Sequence, residues 1–428
     1  MANARRRTVD SITLASNSAP RYGEPACPDN TSNFFLRTMN PVAESLYTPS
    51  FPSRLPKVGT TVFTVMSALA AEKNAINLGQ GFPDFPCDPK LIDAVSQAMR
   101  DGHNQYPPMA GLQVLREAIA DKVSAVYGRH YHVANEITVT AGATEALLSA
   151  ILCAVRTGDE VIVIEPSYDS YLPAIELAGG TPVLVPLSAP DYAIPFDVIK
   201  QKVSERTRMI IINTPHNPTG RIWSPEDMEQ LADIVRGTNI LVLSDEVYEH
   251  MVFDGRAHAS AARHPELAAR SFIVSSFGKT HHVTGWKVGY VLAPAALTSE
   301  FRKVHQFNVF TVNTPMQAGI AHYMRDPATY SDLADFYQRK RDLFQEGIRS
   351  TRFKLLPCEG TFFQCVDYSA ISDVSEAEFC RWLINEAGVA AIPMSAFYRD
   401  GQESKVVRFC FAKREETLRE AVERLAGL

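Results

Sequence analysis

From Ile137 to Leu292 short, apolar, β-branched runs alternate with stretches of helical periodicity, and that alternation leaves a layered α/β fold as the main solution. Ile137–Thr140 precedes a helical pattern over Thr144–Val155, and Val161–Ile164 precedes one near Tyr171–Ala178. Met209–Ile212 leads to the helix Pro225–Val235, with Ile240–Leu243 after it, and Phe272–Val274 and Val288–Leu292 are further candidate strands. Strands this short and apolar, separated by helices, predict a largely parallel sheet covered on both faces. Ahead of this block, Thr61–Lys73, Pro89–Met99 and Leu112–Tyr127 have the spacing of amphipathic helices. Beyond about Ala318 long helices take over, with Gly360–Val366 and Val406–Phe411 as strands of a separate α+β unit.

A chain of 428 residues holds two or three domains at roughly 150 residues each. At that length the core needs no disulfide or metal staple. The seven cysteines form no CxxC pair and read as reduced, buried thiols of a cytoplasmic protein. With 42 basic against 48 acidic residues the formal net charge is −6, which argues against nucleic acid as a partner. No apolar run approaches the ~18 residues that span a bilayer, so no membrane association is expected. Residues 1–54 carry Arg5-Arg6-Arg7 and many Ser, Asn and Pro; Val9–Asn17 is too polar for a secretory signal, and a disordered extension is expected there.

Several loops follow predicted strands, where open α/β sheets place ligands. Gly142-Ala143-Thr144 offers backbone N–H groups at a helix start, a phosphate site or simply an ordinary helix cap. In Asn213–Gly220 prolines flank Asn217, which leaves an amide able to donate, or an Asx turn. His216 beside it reads as structural. Asp245, at the end of Ile240–Leu243, is a functional carboxylate or a helix cap, with Tyr248 one turn on. Lys279, between Ser276, Gly278 and the later Lys287, forms a Schiff base if its amine is desolvated and is otherwise a surface lysine.

In this order the segments resemble the fold-type I pyridoxal-phosphate aminotransferases, class I/II. Within them the branch holding bacterial methionine aminotransferase and the kynurenine/glutamine transaminases is most similar. The carrying segments are Asn77–Phe85, Asn104–Tyr106, Thr140–Ala146, Glu165–Tyr171, Asn213–Gly220, Asp245–Tyr248, Ser276–Gly289 and Val407–Lys413. The likeness runs from about Leu55 to the C-terminus. It implies a large domain over 96–317, with a mostly parallel seven-stranded sheet flanked by helices. It also implies a smaller α+β domain from 55–95 and 318–428.

The resemblance further implies pyridoxal 5′-phosphate as cofactor and no metal. Lys279 then holds the cofactor and moves the Cα proton, Asp245 pairs with the ring nitrogen, and Asn217 and Tyr248 reach the phenolic oxygen. Tyr168 stacks on the ring. Ala143, Thr144, Ser276 and Lys287 hold the phosphate, with Tyr106 from the partner. Many aminotransferases carry arginine at the Lys287 position; lysine keeps the charge and loses the bidentate fork. Arg408 clamps the substrate carboxylate with Asn217 and the Gly81 N–H. Phe63 lines the side-chain pocket, and Tyr106 and Phe310 reach in from the other subunit of a homodimer.

Such an aromatic box favours thioether and aromatic side chains. The implied activity is a ping-pong transfer of the amino group of methionine and aromatic amino acids to a 2-oxo acid. The alternative is a kynurenine–oxoglutarate/glutamine transaminase with cysteine-S-conjugate β-lyase side activity. A cofactor-binding regulator without turnover is disfavoured by the intact set of Lys279, Asp245, Tyr248 and Arg408. A dinucleotide enzyme is disfavoured because no GxGxxG follows the early strands.

Overall fold

The computed structural model describes residues 51–428. The expectation for 1–54 lies almost wholly outside them. Among the described residues no helix is long and apolar enough to cross a membrane.

Seven strands build the main sheet: β1 (Ile137–Thr140), β2 (Glu160–Glu165), β3 (Thr181–Pro186), β4 (Thr207–Asn213), β5 (Leu241–Asp245), β6 (Ser271–Ser276) and β7 (Gly289–Leu292). Their spatial order is β1-β7-β6-β5-β4-β2-β3. All neighbours run parallel except β7, which is antiparallel to both β1 and β6. The mostly parallel seven-stranded sheet is therefore as expected.

The strand side chains alternate between two apolar layers, as a sheet covered on both faces requires. Ile162, Ile210, Val242 and Ile273 enter one layer, and Val161, Ile211, Leu243, Phe272 and Val274 enter the other. This alternation explains why the runs are continuously hydrophobic in sequence.

The edge strand β3 was not anticipated. Pro182 and Pro186 interrupt its pattern, and prolines are tolerated at an edge because no further strand needs their N–H groups.

A second, antiparallel sheet is made of β8 (Lys354–Leu355), β9 (Phe363–Asp367), β10 (Ile392–Pro393) and β11 (Val406–Cys410) in the order β10-β11-β9-β8. Ile76–Asn77 pairs in parallel with Val389–Ala390, which ties the early chain to this later part. Leu78 then donates to the Ala390 carbonyl and accepts from Cys410. The loop Gly79–Phe82 is thereby held beside β11.

Candidate active site

The carboxyl ends of β4, β5 and β6 deliver Asn213, Asp245 and Ser276 to one edge of the main sheet. Asn213 and Asp245 are register partners, as are Ser276 and Gly289. Between this edge and β11 lies a pocket of about 370 Å³. It brings together Phe63, Gly81, Ala143, Thr144, Tyr168, Asn217, Asp245, Tyr248, Ser276, Lys279, Lys287 and Arg408. Every residue that the resemblance assigns to the site within one subunit lines it. Tyr106 and Phe310 do not; they meet each other edge to face at 5.3 Å instead, and lie 80% and 48% exposed.

A larger cavity of about 630 Å³ lies past Asn213 and Tyr171 and is lined by His216, Arg221 and Trp223 among others. No lysine lines it. His216 is buried and pairs with the Thr219 hydroxyl at 2.7 Å, and burial lowers its pKa to about 4. It is structural, as the sequence suggested.

Lys279 sits on a short helix, Phe277–Thr280, that continues directly from β6. Its Nζ donates to the Gly81 carbonyl at 3.1 Å and lies 5.5 Å from the centre of the Tyr248 ring. Burial, partly opposed by Cys410 and Asp245 and reinforced by Arg408 and Lys287, lowers its pKa to about 8. At pH 7 about one amine in ten is then neutral, against well under one in a thousand for an ordinary lysine. Apoprotein should therefore capture pyridoxal phosphate at a rate that rises about tenfold per pH unit below pH 8 and levels off above it. Stopped-flow absorbance from pH 6 to 9.5 measures this; a rate still climbing steeply at pH 9.5 would contradict the desolvated amine.

Asp245 is buried, and Tyr171 donates to its Oδ2 at 2.6 Å. Burial raises its pKa to about 6 despite that hydrogen bond. A cation placed beside it would favour the charged form. Tyr171, which holds the Asp245 carboxylate, has no part in the sequence reading. The segment Glu165–Tyr171 carries the resemblance, which assigns a role to Tyr168 and none to Tyr171. Asn213 was also passed over; it donates to the Asp245 carbonyl at 2.8 Å and accepts from the Asn217 N–H at 2.8 Å, which fixes the loop carrying Asn217.

Arg408 is fully buried on β11, opposite Cys365. Its Nη1 donates to Asn217 Oδ1 at 2.7 Å and its Nη2 to the Gly79 carbonyl at 3.1 Å, whereas Nε has no partner among the described residues. The guanidinium lies 3.8 Å from the centre of the Phe363 ring and 4.7 Å from that of Phe397. Burial lowers its pKa to about 10. A buried cation bound only to neutral groups is costly, and a carboxylate entering the pocket relieves that cost.

The remaining wall is a close-fitting concavity. Gly142 opens the helix Ala143–Ala154 with φ +79°. A Cβ there would meet Lys287 Nζ at 3.2 Å, and one on Gly289 would come within 3.1 Å of the Ala143 nitrogen. Lys287 itself is left-handed, with φ +54°, a strained conformation that places its ammonium over the helix start. Helix N–H groups, the Ser276 hydroxyl and a lysine around a space kept clear by two glycines suit a phosphate. With Lys279 and Asp245 at the other end, the donor set fits pyridoxal phosphate.

Residues 73–425 match the family model for aminotransferase class I and II, and the chain belongs to that family. It is an aminotransferase, of a family that depends on pyridoxal 5′-phosphate. It is 51% identical to the methionine aminotransferase of Escherichia coli, over 88% of this chain and 98% of the relative. Identity is 41% to a probable N-succinyldiaminopimelate aminotransferase of Mycobacterium tuberculosis, over 88% and 98%. Human kynurenine–oxoglutarate transaminase 1 is 33% identical over 83% and 93%. A solved E. coli structure, described as having a methionine aminotransferase function, superposes with a TM-score of 0.88 at 51% identity, covering 89% of this chain and 100% of that one.

Proposed function

We propose that this chain is a pyridoxal 5′-phosphate-dependent transaminase that moves the amino group of methionine, and of aromatic amino acids, to a 2-oxo acid. The observation that carries the reading is the convergence of a desolvated Lys279 and a carboxylate-free Arg408 on one aromatic-walled pocket. The half-identical methionine aminotransferase of E. coli supports the substrate.

When bound, the cofactor supplies an electron sink for the bonds at the substrate Cα. The chain's residues do the rest. Asp245, held by Tyr171, keeps a negative charge for the ring nitrogen. Asn217 gives its carbonyl oxygen to Arg408, so its amide N–H remains for the phenolic oxygen, which Tyr248 shares. Tyr168 covers the ring face. The Ala143 and Thr144 amides, the Ser276 hydroxyl and Lys287 hold the phosphate.

Arg408 and the Gly81 N–H take the α-carboxylate and so orient Cα toward Lys279. The free Lys279 amine, uncharged, would take up the Cα proton on Nζ and give it up again. Phe63, braced edge to face by Phe397 at 5.5 Å, and Phe363 give the side-chain end apolar walls, suited to a thioether.

A homodimer belongs to this reading. Tyr106 and Phe310 form an exposed aromatic pair, with Phe307 87% exposed three residues earlier, and aromatics left bare in this way suit burial by a second subunit. Tyr106 and Phe310 of the partner subunit would then complete the phosphate site and the side-chain pocket. The division into a large domain (96–317) and a small one (55–95 with 318–428), and a cytoplasmic location, go with it.

The test is the first half-reaction. Purified enzyme mixed with excess L-methionine and no 2-oxo acid should lose its visible cofactor band and release one equivalent of 4-methylthio-2-oxobutanoate per site. Kynurenine, glutamine and N-succinyl-diaminopimelate are run in parallel. Bleaching by one of these but not by methionine would overturn the substrate assignment.

A further inference from the structure

Glu249 stands one residue beyond Tyr248 and four beyond Asp245, yet it does not line the pocket. It is almost wholly buried, as is Lys122 on the helix Gln113–Tyr127, and the two form an ion pair at 2.8 Å. The Glu249 carboxylate also accepts from the Tyr290 hydroxyl at 2.9 Å and from the hydroxyls of Tyr127 and Ser275. Besides Glu249, Lys122 Nζ reaches the Tyr290 oxygen at 2.6 Å and His250 Nε2 at 3.3 Å. All three ammonium protons therefore have acceptors. His250 is an acceptor there because burial keeps it neutral.

The place of this cluster gives it meaning. Ser275 and Tyr290 are register partners on β6 and β7. The next pair along the same two strands is Ser276 and Gly289. Ser276 carries a hydroxyl of the phosphate cradle, and Gly289 is the floor that lets the Ala143 amide come close. One carboxylate thus grips both strands a single residue behind the cradle, and Lys122 fixes that carboxylate to a separate helix. A buried ion pair is on average no more stabilising than apolar side chains of the same volume. Its presence here is better explained by what it holds in place.

We propose that Lys122 and Glu249 are positioning residues for the cofactor phosphate. They fix the ends of β6 and β7, and so set the Ser276 hydroxyl and the Gly289 floor against the helix Ala143–Ala154. The inference rests on the phosphate reading made above.

Its test compares pyridoxal phosphate with pyridoxal, which lacks the phosphate, by measuring the dissociation constant of each from apoenzyme. The variants are Lys122→Met/Glu249→Leu, which removes both charges together, and the milder Ser275→Ala, which unties β6 and leaves the ion pair. Ser275→Ala should weaken pyridoxal phosphate about fivefold, the worth of one hydrogen bond, and the double variant more. Pyridoxal affinity should stay within about twofold in both, since a phosphate-specific effect leaves the rest of the site intact.

Unchanged pyridoxal phosphate affinity in either folded variant would overturn the proposal. So would an equal loss for the two ligands, which a merely structural role produces. Wild-type enzyme that binds both equally would instead remove the phosphate reading beneath it.

Discussion

Lys279→Ala lowers turnover of every amino-acid donor by about 10⁴-fold, the upper range for loss of a positioned acid–base group. The reason lies in two features of the site. The amine is buried on a helix that continues from β6, so its approach is set by the sheet and no alternative lysine can swing into its place. Lys287, the other lysine of the pocket, is held by a left-handed backbone over the start of the helix Ala143–Ala154. Its charge is committed there. Alanine removes a desolvated amine and leaves an apolar wall of Tyr248 and Phe362, so the melting temperature should hold or rise. Added methylamine should restore part of the rate, because a small free amine can enter the vacated volume. A variant that keeps more than a few per cent of wild-type turnover would show that another group carries the proton.

Arg408→Met costs roughly 10²- to 10³-fold in kcat/KM, corresponding to the penalty for losing one partner of a buried charged pair. The loss should be similar for donors and for 2-oxo acid acceptors, since both present the same carboxylate. Asn217 loses the donor that fixes its amide at 2.7 Å, so some of the effect should appear in kcat as well as in KM. Methionine is the natural replacement: it is unbranched and packs well on the rings of Phe363 and Phe397 that the guanidinium now covers. The discriminating substrate is 3-methylthiopropylamine, which has the side chain of methionine without the carboxylate. Its relative rate against methionine should rise in the variant. Equal losses for the amine and the amino acid would mean that Arg408 supports the fold and does not bind the carboxylate.

Much of this site can be seen in the chain before it folds, because its residues lie in loops at the ends of strands whose hydrophobic runs are unambiguous. Asp245, Asn217 and Lys279 each follow such a run, and glycines or prolines mark the turns around them. The features that escaped are those decided across space. Tyr171 reaches Asp245 from 74 positions away, and nothing local distinguishes it from a core tyrosine. Asn213 acts by being the register partner of Asp245, a relation that exists only once β4 and β5 pair. Phe363 is an apolar residue of an ordinary strand; only its place under the Arg408 guanidinium makes it a pocket wall. Two-residue strands such as Lys354–Leu355 and Ile392–Pro393 are too short to carry a period at all.

Lys279, and no other lysine, is expected to hold the cofactor. Reduction of the yellow holoenzyme with borohydride, followed by peptide mass mapping, tests it directly. One phosphopyridoxyl group per chain is expected, on the peptide containing Lys279. The same label on Lys287 or elsewhere, or no label on a protein that binds the cofactor, would contradict it.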